Sequence, residues 1–314
     1  MLAPKYQKLS PCSERRIQPF EINPYDLSVE IEHVLGKDGN SVIYRGLLRS
    51  IKSNKSSYSQ VAIKISYPPI TPKSRKAVAN EIQALKTLKH NSHILSMVGY
   101  MNTETDLMIV SEFCQLGHLG GLIQSHPCHY ANQELCSTVI CFNAEELLSF
   151  FWQIADGLSF MTANEILHRD IAAENIFITD NMVAKVGGFK RCMIKRQIGD
   201  HDEELPFWNQ AVETLLKGEY SEKSDVWQFG NLLFEVFSGG SLPFGDLSKE
   251  QIIQMFAENE RPRPVRACPD IVSDLIDQCW KTDVDRRPSF SQLKSLIAAT
   301  FIKSRSPKSS GSLR

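Results

Sequence analysis

The sequence predicts an α+β chain in two unequal parts: a small antiparallel sheet carrying one helix, then a larger, mainly helical body. Three observations carry this. Short β-branched and aromatic runs bounded by turn residues recur up to about residue 110. A single amphipathic stretch, Arg75 to Leu88, interrupts them. From Ala144 onward apolar residues recur at helical spacing, and Ser224 to Phe237 is apolar almost all round, as a buried helix would be.

In chain order, residues 1–28 are rich in Pro, Lys and Ser and are expected to be a loosely ordered lead-in. Ile31 to Leu35 reads as a strand, Gly36 to Ser41 as a turn and Val42 to Tyr44 as the returning strand. The polar run Ser50–Gln60 is expected to be a hairpin loop. Val61 to Ile65 is a buried strand, ended by Pro68-Pro69. In the first helix Val78, Ile82, Leu85 and Leu88 share one face. Ile94–Val98 and Leu107–Val110 read as further strands, and the small lobe closes near Ser111. One domain over 29–302 follows, divided into lobes 29–111 and 112–302. Its second lobe holds a long helix from Ala144 to Met161, then helices at Lys249–Glu258, Ile271–Trp280 and Phe290–Ile302. The tail 303–314 is Ser-rich and basic and is expected to be disordered.

Two polar inserts break the pattern. Residues 124–143 hold His126, Cys128, His129, Cys136 and Cys141, at spacings that match no standard zinc pattern, so an ordinary loop is expected. Residues 197–205 form an acidic stretch with Asp200, Asp202, Glu203 and Glu204.

Composition narrows the function. Of 314 residues, 42% are hydrophobic and 23% charged, which suits a soluble globular protein. A net charge of −1 gives no general attraction to nucleic acid or an acidic membrane face. Eight Cys are too sparse for a disulfide scaffold and fit a reducing compartment. No apolar run approaches the roughly 20 residues that cross a bilayer. A cytoplasmic location is expected, at the inner membrane face if the chain is part of a longer receptor.

The chemistry centres on His168-Arg169-Asp170-Ile171-Ala172-Ala173-Glu174-Asn175, followed by the strand-like Ile176-Phe177-Ile178. An acid five residues before an amide suits phosphoryl transfer, because the acid can accept a hydroxyl proton and the amide oxygen can bind a metal. The stretch resembles the catalytic loop of protein kinases, and Ala172-Ala173 resembles its tyrosine-kinase form. Val61-Ala62-Ile63-Lys64, Glu81, Glu146 to Phe150, Ser224 to Gly230, Trp280 and Arg287-Pro288-Ser289-Phe290 follow the family's order. The set is similar to receptor tyrosine kinases of the fibroblast, platelet-derived and vascular growth-factor receptor kind, and implies their two-lobed kinase fold.

That resemblance assigns roles. Lys64 would hold nucleotide phosphates, with Glu81 as its ion-pair partner. Gly36 would open the phosphate loop. Ile43, Ala62 and Phe177 would enclose adenine beside the hinge, Glu112 to Cys114, with Ser111 as gatekeeper. Asp170 would accept the proton and Asn175 would hold metal. Phe189, His168, Leu85 and Met97 would stack between the lobes, Asp225 would anchor the catalytic loop, and Arg287 would pair with Glu213.

The departures are equally specific. Asp38 stands at the second phosphate-loop glycine, with Gly39 displaced by one and Ser41 at the third. Phe177 replaces the usual Leu. Gly188-Phe189-Lys190 stands where kinases carry Asp-Phe-Gly, so the second metal ligand is lost. Glu174 stands where Arg is usual and would raise a carboxyl pKa beside Asp170. Lys190 is expected to be a surface lysine, with phosphate neutralisation as the alternative. No Tyr lies between Lys190 and Val212, and Arg169 would have only acids such as Asp202 or Glu203 to meet. The expected protein is a pseudokinase acting through protein partners, among them an active tyrosine kinase, with weak ATP binding and no full Mg2+ site. A weak atypical tyrosine kinase and a metal-independent nucleotide switch are the alternatives.

Overall fold

The computed structural model describes residues 20–39, 41–52, 55–89, 91–103, 107–125, 142–194, 205–262 and 268–305. The His and Cys residues of the first insert, the acids of the second and the last nine residues lie outside these ranges.

Five antiparallel strands form one sheet in the order β1-β2-β3-β5-β4. They are β1 (Leu27–Asp38), β2 (Ser41–Lys52), β3 (Lys55–Ser66), β4 (Met97–Asn102) and β5 (Leu107–Glu112). Residues 20–28 belong to this lobe: Leu27 and Ser28 pair with β2, and Glu21 bridges Tyr100. The expected loop Ser50–Gln60 is instead a continuation of β2 and β3, paired out to Lys52 and Lys55. A ribbon wetted on both faces needs no apolar alternation, so its polar composition hid it. The expected turn Gly36–Ser41 is shorter too, since Asp38 already pairs with Ser41 and Gly39 takes the left-handed conformation, φ 56°. The strand expected at Ile94 starts at Met97. Ile94 itself bridges Val186, tying the small lobe to the large one.

Helix α1 (Pro72–Leu88) starts at Thr71, whose hydroxyl accepts from the Ser74 N–H, with Pro at the first position. Val78, Ile82, Leu85 and Leu88 are buried as expected.

The large lobe comprises α2 (Leu119–Ser125), α3 (Ala144–Ala163), α4 (Val212–Lys217), α5 (Glu222–Phe237), α6 (Lys249–Ala257), α7 (Asp270–Cys279) and α8 (Phe290–Arg305). Short strands β6 (Ile166–Leu167) and β9 (Met193–Ile194) pair, as do β7 (Ile176–Ile178) and β8 (Ala184–Val186). Helix α5 is the axis of this lobe. Trp227, Phe229, Leu232 and Leu233 are fully buried, each burial contributing about 1.5–3 kcal/mol for the aliphatic and phenyl side chains. Trp227 packs against Phe256 and Trp280. Because α5 is held on all sides, polar groups on it become fixed points for the loop above.

Candidate active site

Helix α5 fixes the catalytic-loop segment. Asp225 accepts from the backbone N–H of His168 at 2.7 Å and of Arg169 at 2.9 Å. Gln228 accepts from Ile171 N–H and donates to the Arg169 carbonyl, both at 3.0 Å. These groups would otherwise be buried and unpaired, because the loop turns back on itself with Arg169 at φ 66°. Burial pushes the Asp225 carboxyl up to about 6, against the pull of the two N–H donors. The His168 ring lies 2.7 Å from the Gly187 carbonyl and 5.6 Å from the Phe189 ring. Phe189, Leu85 and Met97 are all buried in the large apolar core.

Asp170 is not free. Arg191 donates to its Oδ2 at 2.7 Å, and Asn175 Nδ2 donates to the same oxygen at 3.1 Å and to its backbone carbonyl at 2.8 Å. Arg191 was not singled out from sequence, and no motif marks it. Beside this pair, burial and then the Asp170 charge raise the Glu174 pKa, as expected for a carboxylate at that position.

A further carboxylate, Glu235 on α5, accepts from the Ala173 N–H at 3.0 Å. Burial pushes it up to about 7 from an ordinary 4.5. A folded-state pKa above the unfolded value means the stability it contributes is present below pH 4.5 and lost as pH rises through about 7. Glu235→Gln keeps the acceptor and removes the charge. Its melting temperature is expected to exceed wild type at pH 8, by roughly 2 kcal/mol in stability, with the gap closing below pH 5. A gap independent of pH would show that Glu235 titrates normally.

Lys64 on β3 meets Glu81 on α1 at 2.9 Å, the pairing the resemblance implies. It also meets Asp38 at 2.7 Å, and the other Asp38 oxygen lies 2.8 Å from Lys190. Lys190 is therefore not a lone surface lysine; it neutralises a carboxylate from the other lobe. Burial alone would raise the Asp38 pKa, but the two ammoniums hold it down at about 2. Burial would likewise lower Lys64, and Glu81 and Asp38 more than reverse it.

The remaining cleft residues are placed as follows. Gly36 pairs with Ile43, Ile43 with Lys64 and Ala62 with Ser111 across the sheet. Half-buried Phe177 lies against Gly187, where a Cβ would come within 2.7 Å of its ring. The Glu112 side chain turns away from the hinge, accepting from Ser96 N–H at 2.7 Å and facing Lys185 at 3.0 Å. Cys114 is buried, and burial pushes its thiol up to about 12, so it stays protonated at neutral pH.

At Gly188 the carboxylate donor is missing, and Asn175 Oδ1 is the oxygen that faces the position. Gly188 has φ 75°, and a Cβ built there would lie 2.2 Å from Asn175 Oδ1. Asn175 fills that space, its amide nitrogen is turned to Asp170, and the Asp170 carboxylate is bound by Arg191. Mg2+ needs oxygen donors at octahedral geometry, with carboxylate among them.

Two outer contacts complete the site. Arg287 pairs with Glu213 through two bonds, 2.7 and 2.8 Å. Arg169 is buried with its guanidinium 4.2 Å from the Tyr220 ring centroid. Its Nε and Nη2 have no hydrogen-bond partner among the described residues, and the acids expected to meet it lie outside them.

A two-lobed architecture with a lysine–glutamate pair in the small lobe and an Asp–Asn loop on a buried helix defines a protein kinase domain. The family model of protein tyrosine and serine/threonine kinases matches residues 29–297, and the chain belongs to that family. It is 33% identical over 228 residues to human Protein-tyrosine kinase 6, covering 72% of this chain and 48% of that one. It is 28% identical over 298 residues to a putative tyrosine-protein kinase of Caenorhabditis elegans, covering 88% and 34%. To the fibroblast growth factor receptor of Hydra vulgaris it is 27% identical over 273 residues, covering 84% and 33%. The chain thus spans about a third to a half of these relatives' length.

Proposed function

We propose that this chain is a tyrosine-kinase-like signalling domain with impaired phosphotransfer, acting as a scaffold or allosteric partner of another signalling protein. The observation that carries the reading is Gly188. Its position bears no carboxylate, and the neighbouring Asn175 occupies the room a side chain would need. Losing a cation that neutralises developing charge removes several kcal/mol of transition-state stabilisation. That corresponds to a rate lower by on the order of a thousandfold or more. The shape-giving elements, by contrast, are kept: the Asp225 anchor, the His168–Phe189 ring contact and the Glu213–Arg287 pair.

Such a domain would work in the cytoplasm or at the inner membrane face. No helix among the described residues is long and apolar enough to cross a membrane. A weak atypical kinase is the second reading, favoured by the kept Lys64–Glu81 pair and Asp170. Purified protein with labelled ATP, Mg2+ and a generic tyrosine peptide separates them. The expected result is transfer no greater than that of an Asp170→Asn control. Transfer that the control abolishes would replace the first reading by the second.

A further inference from the structure

We infer that Lys64 and Lys190 form a metal-independent binding site for the phosphate chain of a nucleotide, and that Asp38 is its built-in competitor. The inference deepens the tyrosine-kinase-like reading proposed above and rests on the role that the family resemblance gives Lys64, holding nucleotide phosphates.

The geometry points this way. One carboxylate bridges two ammonium groups, Oδ2 to Lys64 at 2.7 Å and Oδ1 to Lys190 at 2.8 Å. A phosphoryl group presents two oxygens in the same bidentate manner and with more charge. Asp38 and Lys64 come from the sheet and Lys190 from the segment after Gly188, 152 residues beyond Asp38, so the bridge spans both lobes. Lys190 also underlies the hairpin turn, its Nζ 3.1 Å from where a Gly39 Cβ would sit. The ammonium therefore lies where the turn would cover a phosphate chain.

Charge decides occupancy. Lys64 and Lys190 are balanced by Glu81 and Asp38, so the closed site is neutral. Removing Asp38 leaves one net positive charge, with both ammoniums free of their shared oxygen pair. Lys190 then supplies the neutralisation that a metal would otherwise bring, and a nucleotide must displace Asp38 to reach it. Wild-type protein should bind nucleotide weakly, with Asp38 acting as an internal anion in the same place.

Calorimetric titration with ATP in excess EDTA tests this on the whole chain. Asp38→Asn is expected to bind roughly ten- to a hundredfold more tightly than wild type, an amount set by one or two charge-assisted hydrogen bonds. The gain should shrink as salt rises. Adding Lys190→Ala should abolish it, and tripolyphosphate should compete while adenosine should show no gain. Asp38→Gly, the residue the family carries here, is the second variant should Asp38→Asn fold poorly. Equal ATP affinity in folded wild type and variant would overturn the inference. So would a gain that needs Mg2+, or one that survives Lys190→Ala. A gain for tripolyphosphate without one for ATP would overturn the nucleotide assignment. Mg2+-dependent phosphotransfer by wild type would instead sink the proposed function, and is read in a separate assay.

Discussion

Glu213→Ala is expected to destabilise the chain by about 3–5 kcal/mol, because it leaves a buried guanidinium without its counter-charge. The Arg287 side chain is 0% exposed, and Glu213 meets it with both oxygens. Arg287 also donates to the carbonyls of Lys281 and Lys223, and its guanidinium lies 4.8 Å from the Trp227 ring centroid. It is thus pinned and cannot swing to water when Glu213 goes. Removing both partners together, as Glu213→Leu with Arg287→Met, should cost less than the single substitution, since no unpaired charge remains. Urea unfolding at constant slope measures this. A loss under about 1 kcal/mol for Glu213→Ala would mean that Arg287 finds water or another acid, and that the pair does not hold α4 to the core.

Most of the architecture could be read from spacing. Helix α5 announced itself by being apolar on every side, and α1 by one face of Val78, Ile82, Leu85 and Leu88. Asp225 and the Arg287–Glu213 pair followed from ordered motifs. What escaped was the meeting of charges far apart in sequence. Nothing in a linear reading brings Asp38 to Lys190 or Arg191 to Asp170, because those encounters depend on how the lobes close and how the loop after Gly188 turns. The polar ribbon around residues 50–60 escaped for a different reason. Its strands are held by backbone ladder bonds and leave no apolar stripe to detect. The departures at Asp38 and Gly188 were visible one at a time. Their relation to Lys64, Lys190 and Asn175 was not.

That relation makes the reversion Gly188→Asp informative. Restoring the carboxylate is expected to lower the melting temperature by several degrees and to leave phosphotransfer at the level of the Asp170→Asn control. A side chain at φ 75° costs roughly 1–3 kcal/mol. Overpacking adds about 1–3 kcal/mol, since the new Cβ would lie 2.2 Å from Asn175 Oδ1. Asn175 cannot step aside cheaply. Its side chain donates twice to Asp170, and its carbonyl accepts from Gly187 N–H at 2.8 Å. Adding Asn175→Ala should therefore return much of the lost stability, giving a coupling energy of about 1 kcal/mol or more in a double-mutant cycle. The same addition removes the amide oxygen expected to hold a metal, so it should not return activity. Were Gly188→Asp as stable as wild type and active with Mg2+, the backbone here would have to relax freely. The closed arrangement of Asn175, Asp170 and Arg191 would then be a consequence of the glycine rather than a barrier to its reversal.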